Sequence, residues 1–117
     1  MTAQPHRSQP IIPRPERTPR ALRLALAGVA PHRIQAFEEQ KDQALAMAAE
    51  SGSITPVRAF LLAWATTVEI ERDPDTARRF HAAEHAAHVL DKDHADWHRA
   101  MREITTILDE AQKAVES

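Results

Sequence analysis

No cysteine occurs among the 117 residues. That absence excludes disulfides, thiolate zinc sites, iron–sulfur clusters and thiol nucleophiles. Tyrosine is also missing, and the aromatics come down to Phe37, Phe60, Phe80, Trp64 and Trp97. With two glycines and alanine as the commonest residue, the composition favours helices over β-sheet. The longest uncharged run lies between Arg58 and Glu69, far short of the ~20 residues that span a bilayer. Met1 to Pro19 is polar and proline-rich, without the apolar stretch of a signal peptide. A cytoplasmic location is the expectation. There is no GxGxxG, no P-loop and no nucleophile elbow, and nothing supplies a nucleophile with a base.

The charge is unevenly spread. Residues 1–33 carry six arginines against the single acid Glu16, whereas residues 34–117 carry nine Lys/Arg against sixteen Asp/Glu. A basic arm on an acidic body can touch nucleic acid, or it can lie on its own acidic surface. Pro5, Pro10, Pro13, Pro15 and Pro19 crowd the start of the chain. This stretch offers too little apolar surface to offset its ordering entropy. A disordered, Pro/Arg-rich basic tail over residues 1–17 is therefore expected, followed by a single helical domain over 18–117.

Within that domain, punctuation sets the elements. Thr18-Pro19, Thr55-Pro56 and Asp73-Pro74 each place a side-chain acceptor before proline, the signature of an N-cap and first helical position. Gly28 and Gly52 stand where helices should stop. The fold class read from these signals is all-α, a small bundle of about five helices over roughly 19–27, 31–50, 56–71, 74–90 and 93–115. Asp91-Lys92-Asp93 holds the only caps between the last two, which could run on as one. Helix three is apolar nearly all round (Val57, Phe60, Leu61, Trp64, Ala65, Val68, with Leu62 and Ile70), so it should be central. Helix two aligns Ile34, Phe37, Ala44, Leu45 and Ala48, with Lys41 in mid-stripe, its charge expected to snorkel to water. Helix four aligns Ala77, Phe80, Ala83, Ala87 and Leu90. In helix five, Trp97, Met101, Ile104, Leu108, Ala111 and Val115 repeat at four-three spacing, a stripe as narrow as a coiled-coil seam. These six residues are the candidate partner surface. The seam's partner is either another helix of the same chain, a second copy, or a different protein.

Three constellations could carry chemistry. His81-Ala82-Ala83-Glu84-His85 matches H-x-x-E-H, the inverted zinc-peptidase motif, and His88 extends the row. These histidines project opposite the Phe80/Leu90 face, and the chain is too short for such a peptidase, so a solvated face is expected. The pair His94 and His98 is read the same way. Acids cluster at Glu38, Glu39 and Asp42, and at Glu69, Glu71, Asp73 and Asp75. Solvated surface and favourable helix-start electrostatics account for them. Arg14, Arg17, Arg20, Arg23 and Arg33 could neutralise phosphates. No catalytic, cofactor or metal residue is expected.

The run from Thr18 through Leu26, then Val29-Ala30-Pro31, Phe37-Glu38-Glu39, Ala44 through Gly52, Pro56 through Trp64 and Asp73-Pro74 resembles a family of short, all-helical actinobacterial proteins known only as a domain of unknown function. The likeness covers roughly residues 18–90. It implies no catalytic residues. Some members are encoded beside small toxins of the RelE kind, which implies an antitoxin-like or regulatory role. The expected function is a non-enzymatic protein-interaction module, with a protein partner or a second copy. The alternatives are a DNA-binding regulator using the basic arm and a histidine-based metal-binding protein; no membrane association is expected.

Overall fold

The computed structural model describes residues 9–117. Helix α1 spans Pro19–Val29, α2 Ile34–Ser51, α3 Thr55–Glu71, α4 Pro74–Val89 and α5 Ala95–Glu116; a 3-10 turn, Pro31–Arg33, leads into α2. Among the described residues there is no strand. The five-helix, all-α reading holds, and so does the central place of α3, which packs against each of the other four. No helix among the described residues is long and apolar enough to cross a membrane.

The caps explain most boundaries. Thr18 accepts a hydrogen bond from the Ala21 N–H at 3.1 Å. Asp73 accepts from the Asp75 and Thr76 N–H groups at 3.0 and 3.3 Å. Both fill orphan donors of a helix start. Gly52 ends α2 with φ 73°, the left-handed conformation in which glycine avoids a Cβ clash. Three boundary expectations need correction. Gly28 lies inside α1, which stops instead at Ala30, where the backbone turns out of the helix ahead of Pro31. Thr55 is already helical, and the Ser53 hydroxyl accepts from its N–H at 3.2 Å, so the serine does the local capping. Between α4 and α5, His94 rather than Asp91 or Asp93 is the cap, its Nδ1 accepting from the Asp96 N–H at 3.0 Å. Leu90 is extended, so α4 and α5 form a hairpin rather than one rod.

Two apolar clusters hold the helices. In the larger, Phe37 of α2 is fully buried, with its ring centroid 5.1 Å from Phe60 and 5.4 Å from Trp64, edge-on to the latter. Leu22, Leu26 and Val68, also fully buried, complete its centre. Trp64 donates its indole N–H to Gln40 at 2.9 Å, so its polar edge is not stranded. In the smaller cluster Ile70, Ile107 and Ala111 pack with Phe80, joining α3, α4 and α5.

The buried face of α5 is not the narrow seam. Ala100, Ile107, Ala111 and Val115 are buried, whereas Met101 is 37% exposed and Leu108 40%. Adding Ala100 and Ile107 widens the stripe to roughly 120° and turns its centre by roughly 20° on helical geometry. An ordinary core-facing helix has such a stripe. Ile107→Ala is therefore expected to cost about 2–4 kcal/mol in urea unfolding. Leu108→Asp, on a half-exposed position, should cost about 1 kcal/mol or less. Equal losses at the two positions would contradict this orientation.

The start of the chain also differs from expectation. Residues 11–17 belong to the domain instead of a loose tail. The Ile11 N–H donates to the Arg72 carbonyl at 2.8 Å, and Arg72 Nη1 donates to the Ile12 carbonyl at 3.1 Å. Arg14 forms a two-pronged pair with Glu69 at 2.8 and 2.9 Å. Ile12 packs on the larger cluster. This strap crosses α3 before α1 begins. Ile12 on the cluster and Arg14 on the Glu69 carboxylate are enough to seat this stretch, although its composition is that of a tail. Residues 1–8 of the expected tail lie outside the described residues.

Candidate functional site

In the histidine motif, His81 stands between two carboxylates. His81 Nε2 lies 2.7 Å from Glu71 and its Nδ1 lies 3.2 Å from Glu84. The two carboxylates sit on opposite ring nitrogens, so they cannot share one metal ion with this imidazole. His85 and His88 are exposed, as expected of a solvated face. Among the described residues no group of three His, Asp or Glu side chains is arranged to hold a metal. His81 instead ties α4 to the end of α3.

The acidic cluster is not plain solvated surface. The side chains of Glu69 and Glu71 are only 14% and 11% exposed. Hydrogen bonds from Arg14, then from Arg72 at 2.9 Å, hold the Glu69 carboxyl at about 2, well below its usual range. Glu38 is likewise lowered, chiefly by its bond to Lys41 at 2.7 Å, with Arg23 adding to it. Lys41 thus brings its charge to the edge of the α2 stripe, as expected.

The arginines divide into two groups. Of the five offered for phosphate contacts, Arg14 pairs with Glu69 and Arg23 with Glu38 at 2.8 Å. Arg33 lies over the Trp64 ring, 5.2 Å from its centroid. These three lie on their own chain, one of the two fates open to a basic arm. Arg17 and Arg20 have no ion-pair partner among the described residues.

The six seam residues of α5 are brought together, but not as one free surface. Ala111 and Val115 are buried and Ile104 is half-buried. Trp97 donates its indole N–H to the Ala87 carbonyl at 3.1 Å, across the α4–α5 hairpin. The helices that cover the seam are α3 and α4 of the same chain. Met101 and Leu108 alone keep substantial exposure.

A concavity lies on another side of the same hairpin. It is an open groove of about 740 Å³ between α4 and α5. Ala82, Ala83, Ala86 and Ala100 form its floor, Thr106 continues it, and charged side chains form its rim. Arg79 reaches across to Glu103 at 2.7 Å, and Arg99 pairs with Asp96 at 2.8 Å. Arg102, also on the rim, has no ion pair among the described residues. Of the groove residues, the apolar stripes expected from the sequence included Ala83 alone. Alanines flanked by charges on two consecutive helices were the available signal, but it appears only once the two helices are known to lie side by side.

A family model described as a family of unknown function (DUF6247) matches residues 12–111. The match takes in the strap from Ile12 and most of α5, a wider span than the likeness read from residues 18–90. No curated protein and no solved structure matches the chain.

Proposed function

The chain belongs to this family, and we propose that it is a non-catalytic protein-interaction module that receives an amphipathic helix of a partner protein in the α4–α5 groove. The groove is the observation that carries this reading. Its alanine floor lets a helix backbone come close, because the side chains of the floor are short. Residues 99–106 make about two turns, roughly 11 Å, a length suited to two or three anchoring side chains. The rim is already paired at Arg79–Glu103 and Arg99–Asp96, so Arg102 is the cation left to meet an acid on the partner. A role of this kind agrees with regulatory, antitoxin-like action, in which a small helical protein masks another.

The test is a groove filled without disturbing the core. Ala82 is exposed, so Ala82→Trp should change stability by about 0.5 kcal/mol or less. The tagged wild type, isolated from its own host, should carry a stoichiometric protein partner identified by mass spectrometry. Ala82→Trp should weaken that complex more than tenfold. A partner retained equally by both, or none at all, would overturn the assignment.

A further inference from the structure

Arg17 precedes α1 and Arg58 lies in the first turns of α3, yet they line one concavity of about 450 Å³ with Leu61 and Leu62. Arg58, Leu61 and Leu62 stand at i, i+3 and i+4, one face of a helix. Both leucines are half-buried, their outer parts left uncovered by the chain. Arg14, Arg23, Arg72, Arg78, Arg79 and Arg99 all pair with carboxylates of the same chain. Arg17 and Arg58 lack an ion pair among the described residues, as Arg20, Arg33 and Arg102 do, but these two converge on one concavity from separate parts of the chain. The chain has seventeen acids for fifteen Lys and Arg, and Glu16 is next in sequence, yet no carboxylate closes on these two.

We propose that this concavity is a docking site for an acidic peptide segment of a partner protein. A carboxylate of the segment bridges the two guanidiniums, and an adjacent aliphatic side chain covers Leu61 and Leu62. Guanidiniums suit this task because their planar fork binds carboxylate oxygens in pairs. Nucleic acid fits less well. Two arginines supply two phosphate contacts, where tight duplex binding uses roughly 6–10. None of the residues lining the concavity is aromatic, so no stacking platform is at hand for single-stranded bases. The site shares no lining residue with the α4–α5 groove and stands whether or not that groove is used.

A displayed library of random twelve-residue peptides, selected on the full chain, tests the assignment. The expected binders carry Asp or Glu beside Leu, Ile or Val. Their affinity should fall at least tenfold for the double variant Arg17→Gln/Arg58→Gln and stay unchanged for Ala82→Trp. Circular dichroism and melting temperature of the double variant should match the wild type, since neither side chain has an ion pair among the described residues. Binders without acidic residues, binders indifferent to the two arginines, or an empty selection would overturn it. A mixed-sequence 20-base-pair duplex that binds tightly and depends on both arginines would replace the peptide with nucleic acid.

Discussion

Replacing Phe37 with alanine is expected to destabilise the fold by about 3–5 kcal/mol. The ring is fully buried and is the part of α2 that enters the core between Phe60 and Trp64. Its loss removes the transfer energy of a whole phenyl group. It also leaves a cavity that two large neighbours cannot fill without moving. Edge-on and tilted ring pairs add about 0.5–1.5 kcal/mol beyond burial. A small domain has only about 5–15 kcal/mol in total, so the variant should sit near its unfolding threshold at physiological temperature. Urea titrations followed by circular dichroism give the comparison. A loss under about 1 kcal/mol would mean that the α2–α3 contact is held by something other than this cluster.

Glu69→Gln should also destabilise the fold, and the size of its effect should depend on pH. The carboxyl is lowered from 4.5 to about 2 in the folded chain, first by Arg14 and then by Arg72. A carboxyl with a depressed folded pKa stabilises the fold fully above its unfolded value and loses that contribution as pH falls through the folded one. The relevant window therefore runs from about pH 4.5 down to about 2. Arg14 is 46% exposed, and solvent screening there reduces the contribution to about 1–2 kcal/mol. At pH 7 the glutamine variant should lose about 2 kcal/mol, because two guanidiniums forfeit a charged acceptor. The difference from wild type should shrink steadily below pH 4.5. Melting temperatures at intervals between pH 2 and 7 would show it, and a difference independent of pH would refute the linkage. A chain beginning at Thr18 lacks Arg14 and both strap isoleucines and should melt at least as low, whereas one beginning at Gln9 keeps every strap contact described.

Local chemistry made the helices legible. Thr18, Asp73 and Gly52 act within a turn of themselves, so their neighbours in sequence are enough to interpret them. The central place of α3 was legible too, because a helix apolar on nearly every side has nowhere else to go. What escaped depends on partners far along the chain. Arg14 reads as one more tail cation until Glu69, 55 residues on, is beside it. Ile107 stands 80° from the seam's middle on the helical wheel and looks peripheral until Ile70 and Phe80 are placed. The Arg17–Arg58 concavity and the alanine groove are likewise properties of helix pairs. Gly28 misled in the other direction, since nothing in the structure requires glycine there: a Cβ would meet Ile12 at an ordinary 3.8 Å.

The strap has a kinetic consequence. The α2–α3 and α4–α5 contacts join neighbours in the chain, so they close cheaply and early. The strap's contacts to Glu69 and Arg72 span 55 and 60 residues, and each adds loop-closure entropy that only an assembled α3 can offset. It is therefore expected to dock after the barrier has been crossed. Arg14 and its carboxylate partner then have little influence on how quickly the chain reaches its native form. They act on the reverse step, and set how long a folded molecule lasts before it opens.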